Sequence, residues 1–248
     1  MICIWCLKQA DSLSREHLIP EMFACPDHLV RDDIACEECN NKLGLTVDAA
    51  VAKQFELINF INGIRGKKGK KPKVSQWAAV AGYYEGGRPV LSVNAGPGEV
   101  KDGGKKLAAA HRSNGITDAW ILPEEGRSGF DQQFGNDPKF VRGVYKIGLN
   151  GVAHYLGPDV AASKIYDHVR AFVSGDEDVP RLKMLVDAAD GKLKCEISAP
   201  IVKQGRKYPM FQITLPGVHF LIDMTPDQSN LRDIRGAATL TLTPLCIL

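Results

Sequence analysis

Cys3-Ile4-Trp5-Cys6, Ser14-Arg15-Glu16-His17-Leu18-Ile19-Pro20 and Cys36-Glu37-Glu38-Cys39-Asn40-Asn41-Lys42-Leu43-Gly44 decide how this chain is read. Two Cys-x-x-Cys pairs bracket a Glu-His dipeptide, and an asparagine follows the last cysteine directly. Four thiolates at this spacing can hold one Zn²⁺ in a closed tetrahedral site, which serves structure rather than chemistry. The gap between the pairs is twenty-nine residues, longer than a bare zinc ribbon has, so something is inserted. The insert carries Glu16-His17 and Pro20. A carboxylate, an imidazole and a carboxamide oxygen can hold a hard divalent cation and deprotonate a water beside it.

Together these residues resemble the HNH endonuclease family, in its subgroup with paired cysteines, over residues 3–48. The resemblance implies a ββα-metal module in which two short strands and a helix grip one metal ion. It implies that His17 is the general base and Glu16 a metal ligand at the end of the first strand. Asn40, or the adjacent Asn41, would be the second ligand at the start of the helix. Cys3, Cys6, Cys36 and Cys39 would hold structural Zn²⁺, and Mg²⁺ or Mn²⁺ would be the catalytic ion. The family's middle asparagine has no counterpart in residues 29–36, where Asp32 or Asp33 is expected to stand in by accepting backbone N–H bonds in a turn. The implied activity is hydrolysis of phosphodiester bonds in nucleic acid, with DNA the favoured substrate. Restriction or antiphage defence is the implied setting. The alternative is a zinc-stabilised nucleic-acid-binding protein without catalysis, which would need the cysteines but neither Glu16 nor His17.

Apolar content of 44% and charged content of 24% are those of an ordinary globular chain, and 248 residues suffice for one large domain or two modest ones. Net charge is only +2, so any nucleic-acid surface must be local. The local candidate is Arg65, Lys67, Lys68, Lys70, Lys71 and Lys73, six cations in nine residues with no acid among them. Glycine and proline keep that stretch from being helix, and it reads as an arm tracking phosphates without reading bases, or as a solvated linker. No run of eighteen apolar residues offers a membrane span. The chain opens directly on the first cysteine pair, without a secretory signal, and carries seven cysteines. Both features predict thiols in a reducing cytoplasm.

The fold class expected is α+β. Residues 1–62 form the zinc-stabilised module with a trailing helix, 63–74 a basic linker, and 75–248 a mixed domain. The module has few apolar residues of its own, so zinc is expected to supply its stability. Val47, Val51, Phe55 and Ile58 recur at helical spacing and predict a helix over 47–62. Asp48 is either a supporting carboxylate beside the metal site or a plain helix-start acid. Strands are expected over 77–84, 89–93 and 119–122, a short helix over 103–114 and a loop over 126–135. Asp137-Pro138 opens a helix through 156. Pro158 opens another to 173, expected to bury Val160, Ile165, Val169 and Phe172 as the second arm of a helical hairpin. Strands over 193–201, 209–215, 219–224 and 239–247 are expected to make an antiparallel sheet packed on that hairpin. Cutting both strands with one site per chain favours a homodimer.

Overall fold

Glu16 and His17 lie on β1 (Ser14–His17), which pairs antiparallel with β2 (Val30–Ala35), Glu16 opposite Arg31 and His17 opposite Val30. The computed structural model describes residues 1–66, 69, the backbone of the strands between 80 and 132, and residues 134, 137–176, 178–189, 193–202 and 208–235. After β2 the chain turns into α1 (Glu37–Leu43), whose first turn carries Glu37 and Glu38 where the helix dipole favours acids. A π-helical stretch, Gly44–Asp48, continues into α2 (Ala49–Gln54) and α3 (Glu56–Ile61). The helical region therefore begins ten residues earlier than the apolar periodicity indicates. Asn40, Asn41 and Gly44 are weak helix formers, and their helix is held by its packing. Gly63, at φ +62°, ends the run.

The hairpin of β3 (Val80–Glu85) and β4 (Arg88–Val93) lies where strands are expected. Two expectations nearby are corrected. Within 103–114, residues 105–107 form strand β5 (Lys105–Leu107), not helix, and pair with β6 (Ile116–Leu122). Within 126–135, β7 (Arg127–Gln132) is a strand on the other side of β6. Ladder bonds to β6 override the local preferences of both segments.

α4 (Pro138–Leu156) starts as its sequence dictates, with the Asp137 side chain accepting from the Lys139 N–H at 2.9 Å and Pro138 in the first turn. Gly157 ends it at φ +100°. The single helix expected next is instead α5 (Pro158–Ala162), a 3₁₀ turn at Lys164–Tyr166 and α6 (Asp167–Ser174), because Ser163 leaves helical space at ψ 153°. Val160 and Ile165 are accordingly 38% and 40% exposed, while Val169 and Phe172 are buried.

Four antiparallel strands complete the fold: β8 (Met184–Ala188), β9 (Glu196–Ile197), β10 (Met210–Leu215) and β11 (Val218–Asp223), in the order β8-β11-β10-β9. β8 and the closing helix α7 (Ser229–Arg235) have no counterpart in the sequence reading, and the strand expected over 239–247 lies outside the described residues. The sheet packs on α4, so the class is α+β, with an N-terminal ββα unit and a later antiparallel sheet against helices.

One apolar cluster joins the two parts. Ile4, Leu18, Val47, Val51 and Phe55 of the cysteine-bearing module share it with Phe140 and Val144 of α4 and with Phe211, Phe220 and Ile222 of the sheet. Phe55 lies tilted against Phe134 at 5.1 Å and meets Phe220 edge-on at 6.1 Å. The approach is close at Gly143, where a Cβ would stand 2.4 Å from Val51 Cγ2 and 2.7 Å from the Val47 carbonyl oxygen. α4 thus supplies the interior that the small module lacks.

Candidate active site and metal centre

The N-terminal turn is shaped by Leu7 at φ +58°, with Leu7 N–H donating to Cys3 O at 2.9 Å and Cys3 N–H to Lys8 O at 3.1 Å. That turn presents Cys3 and Cys6. Cys36 stands at the N-cap of α1 and Cys39 in its first turn. The four sulfur atoms lie within 4.8 Å of one another, and Cys6 Sγ is 3.8 Å from Cys36 Sγ. A tetrahedron with metal–sulfur bonds of about 2.3 Å has edges near 3.8 Å, so the set fits a Cys₄ zinc site. Burial pushes the Cys39 thiol up, and the neighbouring Cys36, Cys3 and Cys6 push it further. Only a dication would let all four stay ionised together.

Glu16 and His17 are adjacent at the end of β1. Arg15 is exposed, Glu16 is 1% exposed and His17 is half-buried. Glu16 meets α4: its Oε1 accepts from Lys146 Nζ at 2.6 Å and from Asn150 Nδ2 at 3.1 Å. The same ammonium donates to Asp48 Oδ2 at 2.6 Å. Burial alone would drive Lys146 toward neutrality, but Asp48 and Glu16 outweigh it and hold the ammonium charged well above its ordinary range. Asp48 is thereby placed beside Glu16, through Lys146. Glu16 Oε2, Asp48 Oδ1 and Asn150 Oδ1 remain buried without hydrogen-bond partners.

Asn40, on α1, reaches back to β1. Its Nδ2 donates to Arg15 O at 2.8 Å and to Ser14 Oγ at 3.1 Å. A backbone carbonyl can only accept, so the amide orientation follows, and Oδ1 is the end turned away from these two bonds. Asn41 is exposed. Glu16 Oε2, buried without a partner, and the carboxamide oxygen of the anchored Asn40 are donors of the kind that a hard divalent ion takes. Asp32 and Asp33 do not sit in a turn as expected. Both lie on β2, and Arg31 takes the Asp33 carboxylate bidentately at 2.7 and 2.5 Å, holding it below the usual carboxylate range. Arg65 is exposed; Lys67, Lys68, Lys70, Lys71 and Lys73 lie outside the described residues.

Lys146 and Asn150 are the site residues that sequence reading passed over. The signal was present: a polar pair at i and i+4 inside a helix whose neighbours Val144, Tyr145, Ile147 and Leu149 are all buried. Such a pair must meet polar partners from elsewhere.

A ββα unit with a four-cysteine clasp and a Glu-His strand has the side chains for a metal to organise it. Residues 3–56 match the family model of HNH endonucleases. The match points to nuclease activity in general and hence to a nucleic-acid substrate; residues 57–248 lie outside it. No curated protein and no solved structure matches the chain. Among the described residues, no helix is long and apolar enough to cross a membrane.

Proposed function

We propose that this chain is a metal-dependent HNH endonuclease that hydrolyses phosphodiester bonds in DNA. The observation that carries the reading is the family match over residues 3–56, which spans Glu16-His17 on β1, Asn40 on α1 and the four clustered cysteines. His17 is the general base: its neutral imidazole takes a proton from water, and the resulting hydroxide attacks phosphorus in line as the 3′-oxygen leaves. Glu16 and Asn40 would hold the catalytic ion, Mg²⁺ or Mn²⁺, with Glu16 Oε2 and Asn40 Oδ1 as the oxygens left free to do so. When bound, that ion supplies electrophilic stabilisation of charge on the phosphoryl group and the departing oxygen. Lys146 and Asn150 keep Glu16 Oε1, which fixes the direction of the other carboxylate oxygen. Ser14 and Arg15 fix Asn40 in the same way. Zn²⁺ sits in the Cys₄ clasp. Arg65, Lys67, Lys68, Lys70, Lys71 and Lys73 track the DNA backbone. The protein works in the cytoplasm as a homodimer, in restriction or antiphage defence.

One observation favours a second reading. Lys146 already neutralises Glu16, as an ammonium could in a zinc-stabilised DNA-binding module that does not cut. Metal titration of strand cleavage separates the two. The nuclease produces 5′-phosphate and 3′-hydroxyl ends, and Asn40→Ala raises the Mn²⁺ concentration needed for half-maximal cleavage by about tenfold or more. DNA binding without any new ends, at every Mn²⁺ concentration, would leave the binding module as the better account.

A further inference from the structure

A cleft of about 380 Å³ opens between the cysteine clasp and the helices of the second part of the chain. Trp5 and Lys42 line it from the module, Lys139 and Arg142 from α4, and Arg170 and Ser174 from α6. Cys6 and Cys39 of the clasp also line it, whereas no aspartate or glutamate does. Asp167 pairs with Arg170 at 2.6 Å, so that charge is already met. Lys42, Lys139 and Arg142 have no ion-pair partner among the described residues.

Arg142 is held in place. Its guanidinium lies 5.9 Å from the Phe172 ring centroid. Gly175, at φ +93°, makes room for it, since a Cβ there would stand 2.8 Å from Arg142 Nη1. Its Nε is buried with no acceptor, and so is Trp5 Nε1. Buried donors without acceptors are costly to leave unmade. A guanidinium fork matches a phosphate bidentately, and two flexible ammonium groups beside it suit further anionic oxygens.

We propose that this cleft binds a phosphate-bearing small ligand of nucleotide size. The three unpaired cations outweigh the formal charge of −2 on a zinc-loaded clasp and, with no lining carboxylate, select an anion, and phosphate offers the oxygens that the fork and the ammonium groups require. The volume is that of a small-molecule site, and its apolar wall, with Leu43, Val47 and Val173, receives an uncharged ring. A space of this size, walled by two parts of the chain, takes a free ligand, whereas a duplex needs an extended basic surface. The site is independent of the nuclease reading. Because its walls come from both parts of the chain, occupancy stabilises their contact.

The test is calorimetric titration of the full chain, zinc-loaded, with AMP, ATP, inorganic phosphate, adenosine and a short DNA duplex. The proposal expects saturable binding of the nucleotides and none of adenosine. Lys42→Glu combined with Lys139→Glu, both at exposed positions, weakens nucleotide binding at least about tenfold. Arg142→Lys keeps the charge but loses the fork, and also weakens it; matched circular dichroism and zinc content confirm that both variants fold. The proposal is overturned if no phosphate-bearing small molecule binds, if adenosine binds as tightly as AMP, if the duplex alone binds, or if the double charge reversal leaves nucleotide affinity unchanged.

Discussion

Glu16 shows what a residue's neighbours in space add to its neighbours in sequence. Beside His17 it reads as a metal ligand; in the fold one of its oxygens belongs to Lys146 and Asn150. A buried ammonium between two carboxylates is costly to break from one side, because it leaves charge unpaired in the interior. Lys146→Met is therefore expected to lower unfolding free energy by about 3–5 kcal/mol in urea titrations at neutral pH. An unchanged midpoint would mean that the three groups are solvated. The sign of the pH dependence follows from the raised Lys146 value. The folded state binds the proton more tightly than the unfolded one, so this contribution is complete below about pH 10.4 and is lost as pH rises through the folded value. The Glu-His pair, the cysteines and Asn40 were legible because each sits at a fixed spacing along the chain. Lys146 and Asn150 were not, since they lie 130 and 134 positions from Glu16, the partner they share.

At the scale of elements, α4 was the most legible and does the most. An N-cap aspartate, a proline at the first position and a terminating glycine bound it before any packing is known. β5 and β7 were illegible because they owe their form to hydrogen bonds with β6, which local preference cannot report. The break between α5 and α6 was likewise hidden, with Val160 and Ile165 at helical spacing but turned to solvent. The contact of α4 with α2 gives a direct test. Gly143→Ala would raise helix propensity by up to about 1 kcal/mol, but its Cβ would press on the Val47 carbonyl, a backbone atom that cannot rotate away. Overpacking wins, and the variant is expected to lose about 1–3 kcal/mol in thermal or urea unfolding. A stabilised variant would show that the two helices can part at no cost.

The molecule as a whole answers a question that the sequence left to zinc. The module was expected to depend on metal because its own core is small. In the fold, Leu18, Val51 and Phe55 lie in one cluster with Phe140 and Phe220. α4 supports it through that cluster, and zinc in the clasp would add to the support. Chelation is therefore expected to lower the Tm of the full chain and disturb the environment of Trp5, which lies beside the clasp, with recovery on adding Zn²⁺. A Tm indifferent to chelation would remove the metal from the Cys₄ clasp.

The claim on which the function rests is that His17 does chemistry rather than structure. Single-turnover cleavage of a labelled DNA duplex, with Mn²⁺ added and DNA affinity measured in parallel, tests it most directly. His17→Ala should bind DNA as wild type does and cut it about 10²- to 10⁴-fold more slowly. Cleavage at the wild-type rate by a His17→Ala protein of equal affinity would contradict the account.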